Sequence, residues 1–356
     1  YPGFLEHVDH HTGRLNETLE KLEIIDDTLI LYIIGDNGAS PEGTLQGAYN
    51  EMANFNGRAD LETTEFMLSK IDSFGSPDSY NHYAVGWAHA LNTPYQWTKQ
   101  VASHWGGTRN GTIVHWPKGI KGKNEIRSQF THFIDLAPTI LEAAGLPEPK
   151  MVNGVLQSPI EGTSMFYSFN DADAPEQHDL QYFEMMGNRG IYFKGWSAVT
   201  KHRTPWDLVG KPPALDDDVW ELYDGSKDWT QANDLSKEMP EKLAYLQRLW
   251  MIEAVKYGVL PIDDRGAERL NADIAGRPQL ITGKTQMLYA GMGRLSENSV
   301  LSIKNKSWSV TAEIEVPDKG AEGVVITQGG KFGGWVFFAK DGKLKFAYNM
   351  LGINLY

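Results

Sequence analysis

Two short stretches hold residue types that could do chemistry, and a third looks as if it might. The first is Gly35-Asp36-Asn37-Gly38, where a carboxylate and a carboxamide sit side by side just after an apolar run. Both side chains offer oxygen donors, which suit a hard cation such as Ca²⁺ or Mg²⁺. The same four residues are also good turn formers, because Asp and Asn tolerate left-handed backbone. The second stretch places Lys99 and His104 ahead of Gly106-Gly107. A Lys ammonium is a compact positive charge able to hold one oxygen of a sulfate or phosphate, and paired glycines let backbone approach a ligand closely. Taken singly, Lys99 also fits a solvated surface position and His104 a packed one. The third is Glu6, His7, Asp9, His10 and His11, where His7 and His11 lie four apart on one helix face. The two-His-plus-Glu zinc pattern is incomplete there, so this cluster reads as a solvated face.

These residues need elements to position them. Leu29–Ile34 is apolar at every position and predicts a strand buried on both faces. Asp36 and Asn37 then fall just past its carboxyl end, where ligands bind in α/β sheets. Thr112–Trp116 predicts a second buried strand, stopped by Pro117. Helices are expected over Phe4–Ile25, Phe133–Gly145 (with Pro138 in its first turn or at a kink) and Glu241–Tyr257. Residues 44–95 read as long loops leading towards the site. Beyond Glu176, short alternating segments at Gln181–Met185, Gly190–Phe193, Ser197–Lys201 and Trp220–Tyr223 predict a small antiparallel sheet. Pro261–Pro278 reads as a tail and then a linker. Ser307–Val316, Gly323–Gln328, Gly334–Ala339 and Lys343–Asn349 predict strands of a β-sandwich, incomplete at Tyr356.

Composition narrows the function classes. Over 356 residues the formal net charge is −13, which argues against a general nucleic-acid binder. It does not exclude an anionic substrate, since one lysine and a divalent cation can reverse the field locally. The chain has no cysteine, so disulfides, thiolate metal sites and a Cys nucleophile are ruled out within it. No apolar run approaches the length of a membrane span. The chain opens inside a helical pattern and stops inside a strand-like one, as an internal fragment would.

The blocks DDTLILYIIGDNGASPEG, NTPYQWTKQVASHWGGTRNG, FTHFIDLAPTILEAAGLPEP and IEGTS resemble the bacterial arylsulfatases of the alkaline-phosphatase-like superfamily, in order and in spacing, over roughly Tyr1–Arg265. The resemblance implies a partial α/β/α core over 1–176. A small antiparallel sheet with a helix and tail would follow over 177–278, then a partial concanavalin-like jelly roll over 279–356. It also implies that Asp36 and Asn37 are two ligands of a Ca²⁺ ion and that Lys99 contacts the sulfate. Many sulfatases carry Glu directly before the Gly-Gly pair. Here His104-Trp105 stands in that region, which makes His104 a second-rank catalytic candidate. The C/S-x-P-S-R nucleophile motif and the first pair of metal-binding aspartates do not occur in this chain. The implied activity is hydrolysis of a small-molecule sulfate ester, with this chain inactive alone. A phosphomonoester or phosphonate hydrolase of the same superfamily, and a non-catalytic carbohydrate-binding protein, are the alternatives.

Overall fold

In chain order, the first half of the computed structural model contains α1 (Pro2–Lys21), β1 (Ile30–Ile33), α2 (Glu51–Phe55), α3 (Thr64–Ser69), α4 (Val85–Asn92), α5 (Trp105–Thr108), β2 (Thr112–His115) and α6 (Leu136–Ala143). A short hairpin of β3 (Met151–Val152) and β4 (Val155–Leu156) follows, then β5 (Leu180–Met185), β6 (Asn188–Phe193), β7 (Trp196–Thr200) and β8 (Glu221–Asp224). The last elements are α7 (Pro240–Lys256), α8 (Ala272–Ala275), β9 (Gly323–Gly330), β10 (Gly333–Lys340), β11 (Lys343–Met350) and β12 (Asn354–Leu355). The structure describes residues 2–207, 210–270, 272–278 and 280–356. It is mixed α/β with small antiparallel sheets, and it forms two compact units. One comprises residues 1–41 and 85–264, the other 42–84 and 265–356.

The first unit is built on the sheet β5-β6-β7-β8, antiparallel throughout. Strand pairing puts Ile191, Ala198 and Leu222 opposite one another on one face. Against them α7 lays Leu246, Trp250 and Ala254, four residues apart and so on one helix stripe. All six are at most 2% exposed, and Leu243 and Leu249 pack at the margin. Pro240 opens the helix, where a missing N–H costs nothing, and Trp250 Nε1 donates to Phe183 O at 3.1 Å. β6 and β7 are buried on their second face too, so something other than α7 must cover it.

Several expectations change against this structure. The apolar run gives β1, but it pairs with β2 as a two-stranded antiparallel sheet in which β1 is only half-buried. β2 is largely exposed, with Ile113 57% accessible and Ile34, beside the sheet, 64% accessible. Two strands alone present both faces to solvent, so burial on both sides does not follow from an apolar run. α1 ends at Lys21 and buries no residue, and its histidines are solvated, with Arg14 Nη1 lying 3.0 Å from His11 Nδ1. Pro138 stands in the first turn of α6, and Gly145 ends that helix at φ +66°.

The second unit holds the sheet β12-β11-β10-β9. Ser307–Val316, expected as a strand, forms no ladder there; its Trp308 ring meets the sheet 4.6 Å from the Trp335 ring. A single sheet therefore stands where a sandwich was expected among the described residues. Residues 44–84 are also more ordered than long loops. Asn50 caps α2 by accepting from Met52 N, Thr63 caps α3 by accepting from Phe66 N, and the Glu62 carboxylate accepts from Tyr49 N and Asn50 N. The reading of 261–278 as tail and linker runs across Asn271, and the expected boundary at 279 falls on Gln279, both outside the described residues.

Truncating Leu246 to Ala removes a fully buried side chain from the sheet–helix core and should cost about 2–5 kcal/mol. Urea unfolding followed by tryptophan fluorescence reads this as a lower midpoint with an unchanged slope.

Candidate active site

The bend after β1 is stitched to the 92–107 loop by backbone. Gly38 N donates to Gly107 O at 2.9 Å, and Lys99 N donates to Ala39 O at 3.1 Å. Asn92, at the end of α4, ties the two together. Its Oδ1 accepts from Ala39 N, and its Nδ2 donates to Trp97 O and Gly106 O, all at 2.9 Å. Such contacts require that no Cβ intervenes. A Cβ on Gly38 would fall 1.7 Å from Gly106 O, and one on Gly107 would fall 2.1 Å from Val101 O. The structure thus brings Asp36, Asn37 and Lys99 onto adjoining loops. Asp36 is exposed and Asn37 half-buried, and Asn37 Nδ2 donates to Asp36 Oδ1 at 2.7 Å. That bond leaves the second Asp36 oxygen and the Asn37 carbonyl oxygen as donors on one bend. The pair supplies two hard oxygen ligands; among the described residues no group of three His, Cys, Asp or Glu is placed to hold a metal.

His104 stands elsewhere in this arrangement. It is fully buried, at the residue preceding α5. Its Nδ1 lies 2.9 Å from Ser103 Oγ, and its Nε2 lies 3.0 Å from Glu221 Oε2, a carboxylate that can only accept. Tyr223 Oη donates to the same oxygen at 2.6 Å. Burial drives the Glu221 carboxyl upward, but the bonds from His104 and Tyr223 outweigh it and hold it below the usual glutamate range. Burial and the same carboxylate push the Tyr223 hydroxyl up.

Glu221 and Tyr223 project from β8 onto the face opposite α7, so this is what covers the second face of the sheet. Gln231 completes the joint. Fully buried, it accepts from Trp105 N through Oε1 at 2.8 Å and donates to Ser197 Oγ at 3.1 Å, while its carbonyl takes the Gln96 amide at 2.6 Å. Asn188, at the start of β6, donates to Gln100 O at 3.0 Å. The loop carrying Lys99 is therefore seated on the polar face of β5–β8.

A second joint lies in the FIDLAPT block. Asp135 is fully buried and accepts from His132 N and Thr163 N, both at 2.7 Å, and its carboxylate lies 2.8 Å from His178 Nδ1. Burial lowers the His178 pKa, but the Asp135 carboxylate, together with bonds to Gln181 and Leu180, leaves it raised. Gly162 lets the IEGTS block approach, since a Cβ there would meet Ile134 O at 2.0 Å. Glu221, Gln231, Asn188, Asn92 and Asp135 all escaped the sequence reading, since each has partners far away in the chain. Asp135 alone left a local trace, a lone carboxylate inside an apolar run.

The Sulfatase family model matches residues 1–146, and the model described as N-sulphoglucosamine sulphohydrolase, C-terminal, matches 97–250. The two overlap on the Lys99 loop and reach the sheet on which it sits. Both matched models are of sulfatases, and between them they span residues 1–250 of this chain. The chain is 25% identical over 266 residues to the uncharacterized sulfatase PB10D8.02c of Schizosaccharomyces pombe, covering 74% of this chain and 44% of that protein. Among solved structures it is similar to Ps i-CgsB, at 20% identity over 78% of this chain and 48% of that one, with a TM-score of 0.49. It is also similar to BT4656 in complex with its substrate D-glucosamine-2-N,6-O-disulfate, at 18% identity over 72% and 40%, with a TM-score of 0.43. The chain spans less than half the length of each of these relatives.

Two outcomes follow from the joint. In Gly106→Ala the new Cβ would lie 2.0 Å from Gln96 O and 2.3 Å from Trp97 O, backbone atoms that cannot swing aside. The cost is on the order of 1–3 kcal/mol, readable as a lower thermal midpoint and as faster hydrogen exchange at the Lys99 amide. For Glu221 the folded pKa lies below the ordinary 4.5, so its stabilisation is present above that value and is lost as pH falls through the folded one. Glu221→Gln should be less stable at neutral pH and lose less stability on acidification below 4.5, measured by urea unfolding across the acid range.

Proposed function

We propose that this chain forms part of a metal-dependent sulfate-ester hydrolase, with Asp36 and Asn37 as cation ligands and Lys99 as a sulfate contact. The observation that carries this reading is the pair of backbone bonds, Gly38 to Gly107 and Lys99 to Ala39, which hold the oxygen-donor bend and the lysine loop together. The donor set fits a hard cation, with Ca²⁺ the ion implied by the family resemblance. Ca²⁺ takes about 6–8 oxygen ligands, so Asp36 and Asn37 would supply a minority of the shell. When bound, the ion would lower the pKa of the attacking nucleophile and balance charge on the sulfate oxygens.

Within this chain, the Lys99 ammonium neutralises one sulfate oxygen as the S–O bond to the leaving group lengthens. His104, buried and bonded at both ring nitrogens, acts by positioning: it fixes the Gly106-Gly107 turn on Glu221. The chain holds no cysteine and no Ser-x-Pro-Ser-Arg run, so it lacks the nucleophile expected of the family and by itself binds without turnover. The match of residues 97–250 to the N-sulphoglucosamine sulphohydrolase C-terminal model favours a sulfated sugar over a simple aryl sulfate. Residues 1–176 are the catalytic part in this reading, 177–278 the subdomain that seats the Lys99 loop, and 279–356 an accessory β module. No helix among the described residues is long and apolar enough to cross a membrane.

Calorimetric titration tests the assignment. Asp36→Ala should weaken Ca²⁺ binding by at least about tenfold, the equivalent of ~1.4 kcal/mol for one lost charged ligand. Lys99→Met should leave Ca²⁺ binding unchanged and weaken sulfate binding. Unchanged Ca²⁺ affinity in Asp36→Ala would overturn the metal assignment.

A further inference from the structure

Leaving β7, the segment Lys201-His202-Arg203 runs beside the loop that carries Lys99. Asn188, 1% exposed, staples the two. Its Nδ2 donates to Gln100 O at 3.0 Å, and its Oδ1 accepts from His202 N at 2.8 Å and Arg203 N at 3.3 Å. Two of the three cation-forming side chains in that segment are occupied internally. His202 is buried between carboxylates, with Nδ1 2.9 Å from Asp218 and Nε2 3.4 Å from Asp264. Arg203 donates to the Asp264 carbonyl at 2.9 Å and to the Asp207 carbonyl at 2.6 Å.

Lys201 differs from both. It is half-buried, pairs with no carboxylate among the described residues, and places Nζ 5.1 Å from the centroid of the Trp97 ring. Trp97 lies two residues before Lys99, in left-handed backbone at φ +69°, with its carbonyl held by Asn92. An ammonium resting on an indole face is oriented without being neutralised. Lys201 is thus a positive group held in place on a chain of net charge −13.

We propose that Lys201 is a recognition residue for a second anionic group, a sulfate or a carboxylate, on the same molecule whose sulfate ester is held by Lys99. The inference rests on the sulfate reading of Lys99 given above and adds a substrate class, a sugar sulfate bearing more than one negative charge. Trp97 orients the ammonium, and the Asn188 staple fixes the spacing between the two lysines. Arg203 and His202 stiffen the segment from behind.

The test is calorimetric titration of the full chain with glucose 6-sulfate, glucose 2,6-disulfate and glucuronate 2-sulfate. Wild type should bind one or both doubly charged ligands at least about tenfold more tightly than the monosulfate, the worth of one charge-assisted contact. Lys201→Met should remove that difference and leave monosulfate binding unchanged, and Lys201→Arg should retain most of it. Which doubly charged ligand gains identifies the second group as sulfate or carboxylate. Lys99→Met should weaken all three ligands together. If Lys201→Met preserves the difference, or weakens all three ligands equally, the Lys201 assignment is overturned while the Lys99 reading stands. If wild type binds none of them, or Lys99→Met weakens none, the sulfate reading fails and takes this proposal with it.

Discussion

The sheet β5–β8 is used on both faces, and the rest of the first unit depends on that. One face is apolar and takes α7. The other meets its neighbour through polar groups, of which the Glu221 carboxylate facing His104 is the centre. A carboxylate drawn partly out of water is costly unless it is hydrogen-bonded, and here His104 and Tyr223 both bond its Oε2. Apolar packing slides easily; hydrogen bonds of fixed direction do not. The polar face therefore sets the height and register of the Lys99 loop, while α7 supplies the burial that keeps the sheet itself folded.

From that joint the constraint passes on through backbone. The loop is held at Gly106 and Gly107, approached by Gly38, and stitched by Asn92 to the bend that carries Asp36 and Asn37. Glycine is needed at these positions because carbonyl oxygens occupy the space a Cβ would take. Loops bonded main chain to main chain hold their relative positions without relying on long side chains. The side chains of Asp36, Asn37 and Lys99 stay outside this framework, exposed or half-buried. His104 lies within the framework, buried and bonded at both ring nitrogens.

Local signals were legible where one element decides the outcome. The alternation after Glu176 and the stripe through Leu246 and Trp250 each have a single period, and both elements formed within a residue or two of the expected bounds. Turn chemistry was equally readable at Gly145 and Pro138. What failed depended on neighbours. The apolar run of β1 does not say how many strands lie beside it, and the alternation of Ser307–Val316 cannot supply a partner to pair with. At the site, Asp36, Asn37 and Lys99 could be singled out because each stands in a recognisable block. His104 drew notice by its place beside Gly106, but its role is decided by Glu221, 117 residues away. Asn188 and Gln231 gave no signal at all. An isolated amide means nothing until two loops are brought within 3 Å of it.

The central claim is that the loop bearing Lys99 and the sheet beneath it open as one unit. Native-state hydrogen exchange measures this directly at the amides of Gly38, Lys99 and Gly107, with Ile191 and Ala198 as the sheet reference. The account predicts that the loop amides are protected and that their opening free energies fall together with those of the sheet as denaturant is added. Loop amides that exchange freely, or through a separate low-energy opening while the sheet stays closed, would contradict it.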